Sequence, residues 1–328
     1  MDSLIDAPFE LFDRAQQALF EALVLPLVQA LGLASVAGEA FSGTGWLLAG
    51  LLQLGFIAVV LGALERWRPV ERWTDRRPVR VDFVYTLIQR LGLFRLGLFF
   101  TLDPLVDALA VQGRLWGWQP WHLDGLWPGV SDQPWIAFAL YLVVFDFAGY
   151  WLHRAQHAWN WWWALHALHH SQRQMGRWTD NRNHFLDDFL GAALFALLGL
   201  LLGTEPAQFM AITLLTQTFE SLQHANARLH FGPLERLWVS PRFHRLHHAI
   251  GLGHEAAGPG TLGGHNFGVL LPWWDQLFGT ARFEEVFPPT GIRDQLPEAG
   301  GRDYGGGLWA QQMLGLQRLW SALMKRSA

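Results

Sequence analysis

Two runs of histidine constrain this chain more than any other feature. Residues 146–170, DFAGYWLHRAQHAWNWWWALHALHH, pass from an apolar stretch into five histidines, and HRLHH follows at His244–His248. On an α-helix, positions i, i+3 and i+4 share a face, so His153/His157, His166/His169/His170 and His244/His247/His248 would each present imidazoles as a group. With fourteen histidines in 328 residues, HxxHH should arise by chance about 0.03 times; it arises twice. Grouped imidazoles point to metal. Cysteine is absent, which excludes disulfides, iron–sulfur clusters and thiolate zinc sites and leaves nitrogen and oxygen as ligands. Eight histidines in three clusters exceed the ligand set of one structural zinc, and two metal ions are the economical answer. Imidazole suits iron, zinc, copper and nickel alike. The HExxH pattern of zinc proteases is missing, because His254-Glu255 runs into Ala-Ala-Gly.

The rest of the sequence reads as membrane. Hydrophobic residues make up 51% and charged residues 16%, too apolar for an ordinary soluble domain. Trp46–Leu64 carries no charge and is long enough to cross a bilayer core. Residues 9–37, broken by Pro26, read as an earlier span, residues 83–107 as a third and Trp135–Leu152 as a fourth. Phe189–Gly203 and Ala207–Leu222, joined by Thr204-Glu205-Pro206, make a short hairpin. The six arginines of Glu65–Arg80 mark that segment as cytoplasmic by the positive-inside rule, and they read as topology and headgroup contacts ahead of a dock for an acidic electron donor. Counting spans from there puts every histidine cluster on the same side. A net charge of −4 gives no argument for nucleic acid. The acidic start, MDSLIDAPFELFDR, does not read as a cleaved signal. Expected, then, is an all-α integral membrane bundle of about four to six spans, capped by a cytoplasmic histidine-rich helical region. Residues 1–134 would be membrane helices and loops, 135–283 the catalytic region and 284–328 a tail with an interfacial helix.

The boxes HRAQH, HALHH and HRLHH, with HAN at His224–Asn226 and NFGVLLPWWDQLFGT near the end, resemble the fatty acid hydroxylase and sterol desaturase superfamily of membrane-bound di-iron oxygenases. The resemblance covers roughly residues 140–283. It implies a cap of histidines holding two irons that activate O₂ to hydroxylate or desaturate a lipid C–H bond. By position it implies His153, His157, His166, His169, His170, His244, His247 and His248 as ligands, with His224 before Ala-Asn. His184 in RNHFLDD matches a family arginine-x-histidine-proline-leucine-glutamate stretch, with Phe185 for the proline and Asp187 for the glutamate. His265 stands where the family has an aspartate and stays outside the metal set.

Ligating imidazoles need partners for their second nitrogens, and Asp146, two turns before His153, is a candidate; otherwise it is a buried acid paired with Arg90 or Arg95. Asp180 and Asp275 are candidates of the same kind. Trp159 and Trp161–Trp163 read as an interfacial belt; His122, His230 and His254 read as ordinary polar residues. No flavin, nicotinamide or haem motif is visible, so electrons would come from a separate reductase or small carrier. Two other classes compete: a membrane metal transporter with a histidine loading site, and a zinc-dependent membrane hydrolase. Ligands at span ends disfavour the first, histidine excess without an adjacent general-base glutamate the second. Zinc would also satisfy much of the ligand set.

Overall fold

The computed structural model describes residues 2–251 and 263–324; His254 and Glu255 lie outside the described residues. Within these limits the chain is helical, and its one β-bridge pairs Ala249 with Thr290. Helix α1 (Asp2–Leu19) continues through a π turn into α2 (Leu25–Ala30). This pair is not apolar enough to cross a membrane, unlike the span expected over 9–37. Glu10, Asp13, Arg14 and Glu21 interrupt it, and it lies against the next helix, where Gln16 donates to Phe41 O at 2.9 Å. Three helical stretches qualify as spans, Ala34–Trp67, Pro134–Ala158 and Phe185–Leu202.

The first span contains α3 (Ala37–Phe56) and α4 (Gly62–Trp67), joined by a π turn. Gly50 lets α3 meet the end of α5 (Arg77–Arg90), where an added Cβ would fall 1.7 Å from Arg90 O. The third expected span bends instead of running through. α5 and α6 (Leu93–Thr101) meet at 50°, because Gly92 takes φ 76°, a left-handed conformation open to glycine. Counted as one bent span, they bring the total to four. α7 (Asp103–Leu115) follows, with Pro104 in its first turn.

The second half builds the site. α8 (Pro134–Ala158) starts on a helix-compatible proline and runs 25 residues, so its last turns carry His153 and His157 beyond its apolar stretch. Trp159 is extended (φ −104°, ψ 117°), which breaks the helix and starts α9 (Asn160–His170). α10 (Phe185–Leu202) leaves, Gly203 reverses the chain at φ 61°, and α11 (Pro206–Gln223) returns with His224 at its end. α12 (Pro241–His247) carries the last box, α13 (Trp273–Leu277) follows it, and α14 (Leu308–Met324) covers α9. Tyr141, Leu142 and Phe145 of α8 pack with Leu202, Ile212, Leu270 and Leu271, tying both hairpin helices and the 270–271 loop to the span that carries His153 and His157.

Candidate metal centre

Nine of the ten expected histidines meet, and they form two groups. His153, His157, His166, His170 and His247 make one; His169, His224, His244 and His248 make the other; within each, one nitrogen per residue lies within 4.8 Å of all the rest. The three boxes do not each stay together, as the spacing predicted. His166 and His170 enter the first group and His169 the second; His244 and His248 enter the second and His247 the first. Pairs at i, i+4 remain on one side, whereas successive residues are turned about 100° apart, so His169 and His170 point to different centres. Two boxes are thereby shared between both groups, and the groups abut, with the His170 and His248 rings stacked at 4.2 Å.

The orientation of four rings is set by their other nitrogen. His166 Nδ1–H donates to Asp187 Oδ2 at 3.0 Å, His153 Nδ1–H to Phe267 O at 2.9 Å, His247 Nδ1–H to His265 O at 2.7 Å and His224 Nδ1–H to Glu220 O at 2.7 Å. Each acceptor fixes the proton on Nδ1 and leaves a lone pair on Nε2, the form a metal requires. Burial, and then neighbouring histidines, hold His169, His244 and His247 well below the ordinary histidine range, which also favours neutral ligands.

The second group tests whether metal fits. His224 Nε2 lies 3.1 Å from His169 Nε2 and 3.0 Å from His244 Nε2, and His244 Nε2 lies 3.1 Å from His248 Nε2. With its proton on Nδ1, His224 has one lone pair to offer two nitrogens, so hydrogen bonding alone leaves a repulsive contact. A cation at the centre turns these contacts into ligation. Metal–nitrogen bonds of about 2.0–2.1 Å separate neighbouring ligands by roughly 3 Å, as observed. In the other group, buried His166 Nε2 has no hydrogen-bond partner among the described residues, and the all-imidazole donor set suits a first-row transition metal.

His184 is the exception. Its Nε2–H donates to Gln312 O at 2.9 Å and its Nδ1 accepts from Leu186 N–H at 3.1 Å, so both nitrogens are used as a cap for α10 and an anchor for α14. Gly315 makes room for the ring, since a Cβ there would meet it at 2.3 Å. His184→Ala is expected to lower thermal stability, by about 1–3 kcal/mol for the lost cap and buried bond, with metal stoichiometry unchanged; parallel melting and metal analysis check this.

Among the described residues, Asp146 reaches neither a histidine ring nor an arginine. Its carboxylate accepts from Leu270 N–H at 2.7 Å, Leu271 N–H at 3.3 Å and Trp274 Nε1–H at 2.8 Å, because the second nitrogen of His153 is already taken by Phe267. Arg90 pairs with Asp180 at 2.8 Å and Arg95 with Asp103 at 2.9 Å. Asp275 accepts from Phe267 N–H and Gly268 N–H, so it and Asp146 brace the loop whose carbonyl holds His153. Asp187 is the carboxylate that sequence reasoning missed. It also accepts from Gln156 Nε2 at 2.8 Å and Trp162 Nε1 at 2.7 Å. The tryptophans therefore do more than mark an interface, and Trp163 lies 5.0 Å from the His157 ring. His265 is buried and outside both groups; burial, then Arg282, pushes it down to about 4, while its carbonyl serves His247.

Apolar spans, one of them carrying His153 and His157 into two converging imidazole groups, define a class: a helical membrane protein with a histidine-built site able to hold metal ions. Residues 138–280 match the fatty acid hydroxylase family. The ornithine lipid hydroxylase OlsE of Rhizobium tropici is 30% identical over 267 residues, 80% of this chain and 76% of that protein. Human alkylglycerol monooxygenase is 29% identical over 209 residues, 63% of this chain and 42% of the relative. A Nicotiana tabacum Delta(7)-sterol-C5(6)-desaturase is 29% identical over 165 residues, 47% and 54% of the two chains. No solved structure matches. The chain belongs to the fatty acid hydroxylase family and is a membrane oxidoreductase.

Proposed function

We propose that this protein is a di-iron monooxygenase that uses O₂ and external electrons to hydroxylate a C–H bond of a polar lipid drawn from the bilayer. The observation that carries the reading is the convergence of two buried imidazole groups beside the end of the apolar span Pro134–Ala158. Iron held in such a donor set would supply the oxidising power that an unactivated C–H bond demands. The chain's own residues hold and shield it. Asp187 and the carbonyls of Glu220, Phe267 and His265 keep four rings in the ligating tautomer. Trp163 and Phe267 wall the five-histidine group and keep water from it. Asp146 acts as a positioning residue through the 270–274 loop.

Hydroxylation leads over desaturation because OlsE aligns over most of its length, whereas the sterol desaturase aligns over about half. Two of these relatives are named for an ornithine lipid and for alkylglycerol, and the higher identity and coverage of the first favour a lipid of that kind. Six arginines after the first span favour a cytoplasmic site, and the electrons would come from a separate carrier. Comparing lipidomes of cells with and without the protein tests this. The expected result is a polar lipid gaining the mass of one oxygen. A loss of two hydrogens would point to desaturation, and an unchanged lipidome under aeration would contradict the reading.

A further inference from the structure

The segment between α4 and α5 has a sidedness that membrane topology does not require. Two acids at its start, Glu65 at the end of α4 and Glu71 just after it, turn toward the metal centre, while Asp75 stays exposed. Glu65 accepts from Asn226 N–H at 2.9 Å, two residues after His224, and pairs with Arg177. Glu71 pairs at 2.6 Å with Arg245, beside His244, and its carbonyl accepts from Asn226 Nδ2 at 2.8 Å. Gln174, four residues after His170, receives Asp75 N–H at 3.1 Å. The segment is thus strapped across residues next to the boxes, while Arg66, Arg68, Arg72, Arg76, Arg77 and Arg80 all stay exposed.

Beside this strap lies a cleft of about 460 Å³. Arg77, Arg173, Arg182 and Arg302 line it against Asp75 and Asp303. Arg182 is held by Asp82 and Arg302 by Asp294, and Asp75 and Asp303 cap the backbone N–H groups of Arg77 and Gly305. Among the described residues, exposed Arg77 and Arg173 take part in no such ion pair. The cleft floor is Ser171-Gln172, which follows His170 directly in the chain. Polar walls of this kind do not suit a lipid tail.

From this geometry we infer that the arginine strap and the adjoining cleft form the docking face for an acidic one-electron carrier protein. The inference rests on the monooxygenase reading. Converting R–H and O₂ to R–OH and water consumes two electrons and two protons, so a one-electron carrier docks and leaves twice per turnover. A charge-complementary face that binds weakly and quickly serves that cycle, and this one sits one residue from a histidine of the five-histidine group.

The test uses the full chain, metal-loaded, in nanodiscs of zwitterionic phosphatidylcholine, with an acidic [2Fe–2S] ferredoxin as probe. Salt-dependent binding is expected, weakened about tenfold at low ionic strength by combined Arg72→Glu, Arg76→Glu and Arg173→Glu substitutions and kept by the corresponding lysine variants. Unchanged metal content and melting temperature would certify that the reversed variant is folded. The inference is overturned if the unaltered protein shows no salt-dependent binding. It is equally overturned if charge reversal leaves affinity intact, or alters only a dependence on phosphatidylglycerol in the disc. Lipid oxidation by the unaltered protein with dithionite as reductant reports separately on the monooxygenase reading.

Discussion

Alanine at His169 is expected to empty the four-histidine group and abolish turnover while leaving the fold in place. His169 Nε2 sits 3.1 Å from His224 Nε2, and its side chain is buried with the other three rings. Removing it leaves three imidazoles for that group, and the loss should exceed the ~10–100-fold typical of an outer hydrogen-bond partner. Because His170 feeds the other group, the five-histidine set keeps all of its members. Metal analysis of the purified variant should therefore show one of two ions missing, with a helical circular dichroism spectrum like that of the unaltered protein. His170→Ala makes the reciprocal case. If both variants retained full metal content, the assignment of the two groups would be wrong.

The second large effect is expected at Asp187. Its carboxylate receives His166, Gln156 and Trp162. Asp187→Ala strands one buried and two half-buried donors, at about 1–3 kcal/mol for a buried group left unsatisfied, and frees His166 to turn or change tautomer. Metal affinity and turnover should fall roughly 10–100-fold. Asp187→Asn is the sharper probe, since an amide keeps the volume and one acceptor oxygen but loses the negative charge. Titration of metal into apoprotein should rank the unaltered chain above Asn and Asn above Ala. A ranking with Ala equal to the unaltered chain would mean that His166 is held by other means.

Much of this was legible in the sequence, for a physical reason. Histidines at i, i+3 and i+4 announce themselves because helix periodicity is regular, and uncharged runs of bilayer length do the same. His153, His157 and the members of both HxxHH boxes were found that way. What helix periodicity could not show was the division between groups, since that depends on where neighbouring helices put each centre. His169 and His170 look equivalent in a string and face different sites in space. His184 misled because a helix-capping histidine and a ligating one look alike until Gln312 is seen beside it. Asp187 was visible only as a changed residue in RNHFLDD, although a carboxylate in the first turn of a helix is a common device. The carbonyls of Glu220, Phe267 and His265 leave no residue-type signal at all. Gly92 had no polar neighbour to betray the bend it makes in the third span.

Metal analysis of the purified, detergent-solubilised chain is the most direct test of the central claim. The account predicts two iron ions per chain, one for each histidine group, and the loss of one in His169→Ala. Protein that oxidises its lipid with full activity while carrying no iron, or with its metal content indifferent to His169 and His170, would contradict it.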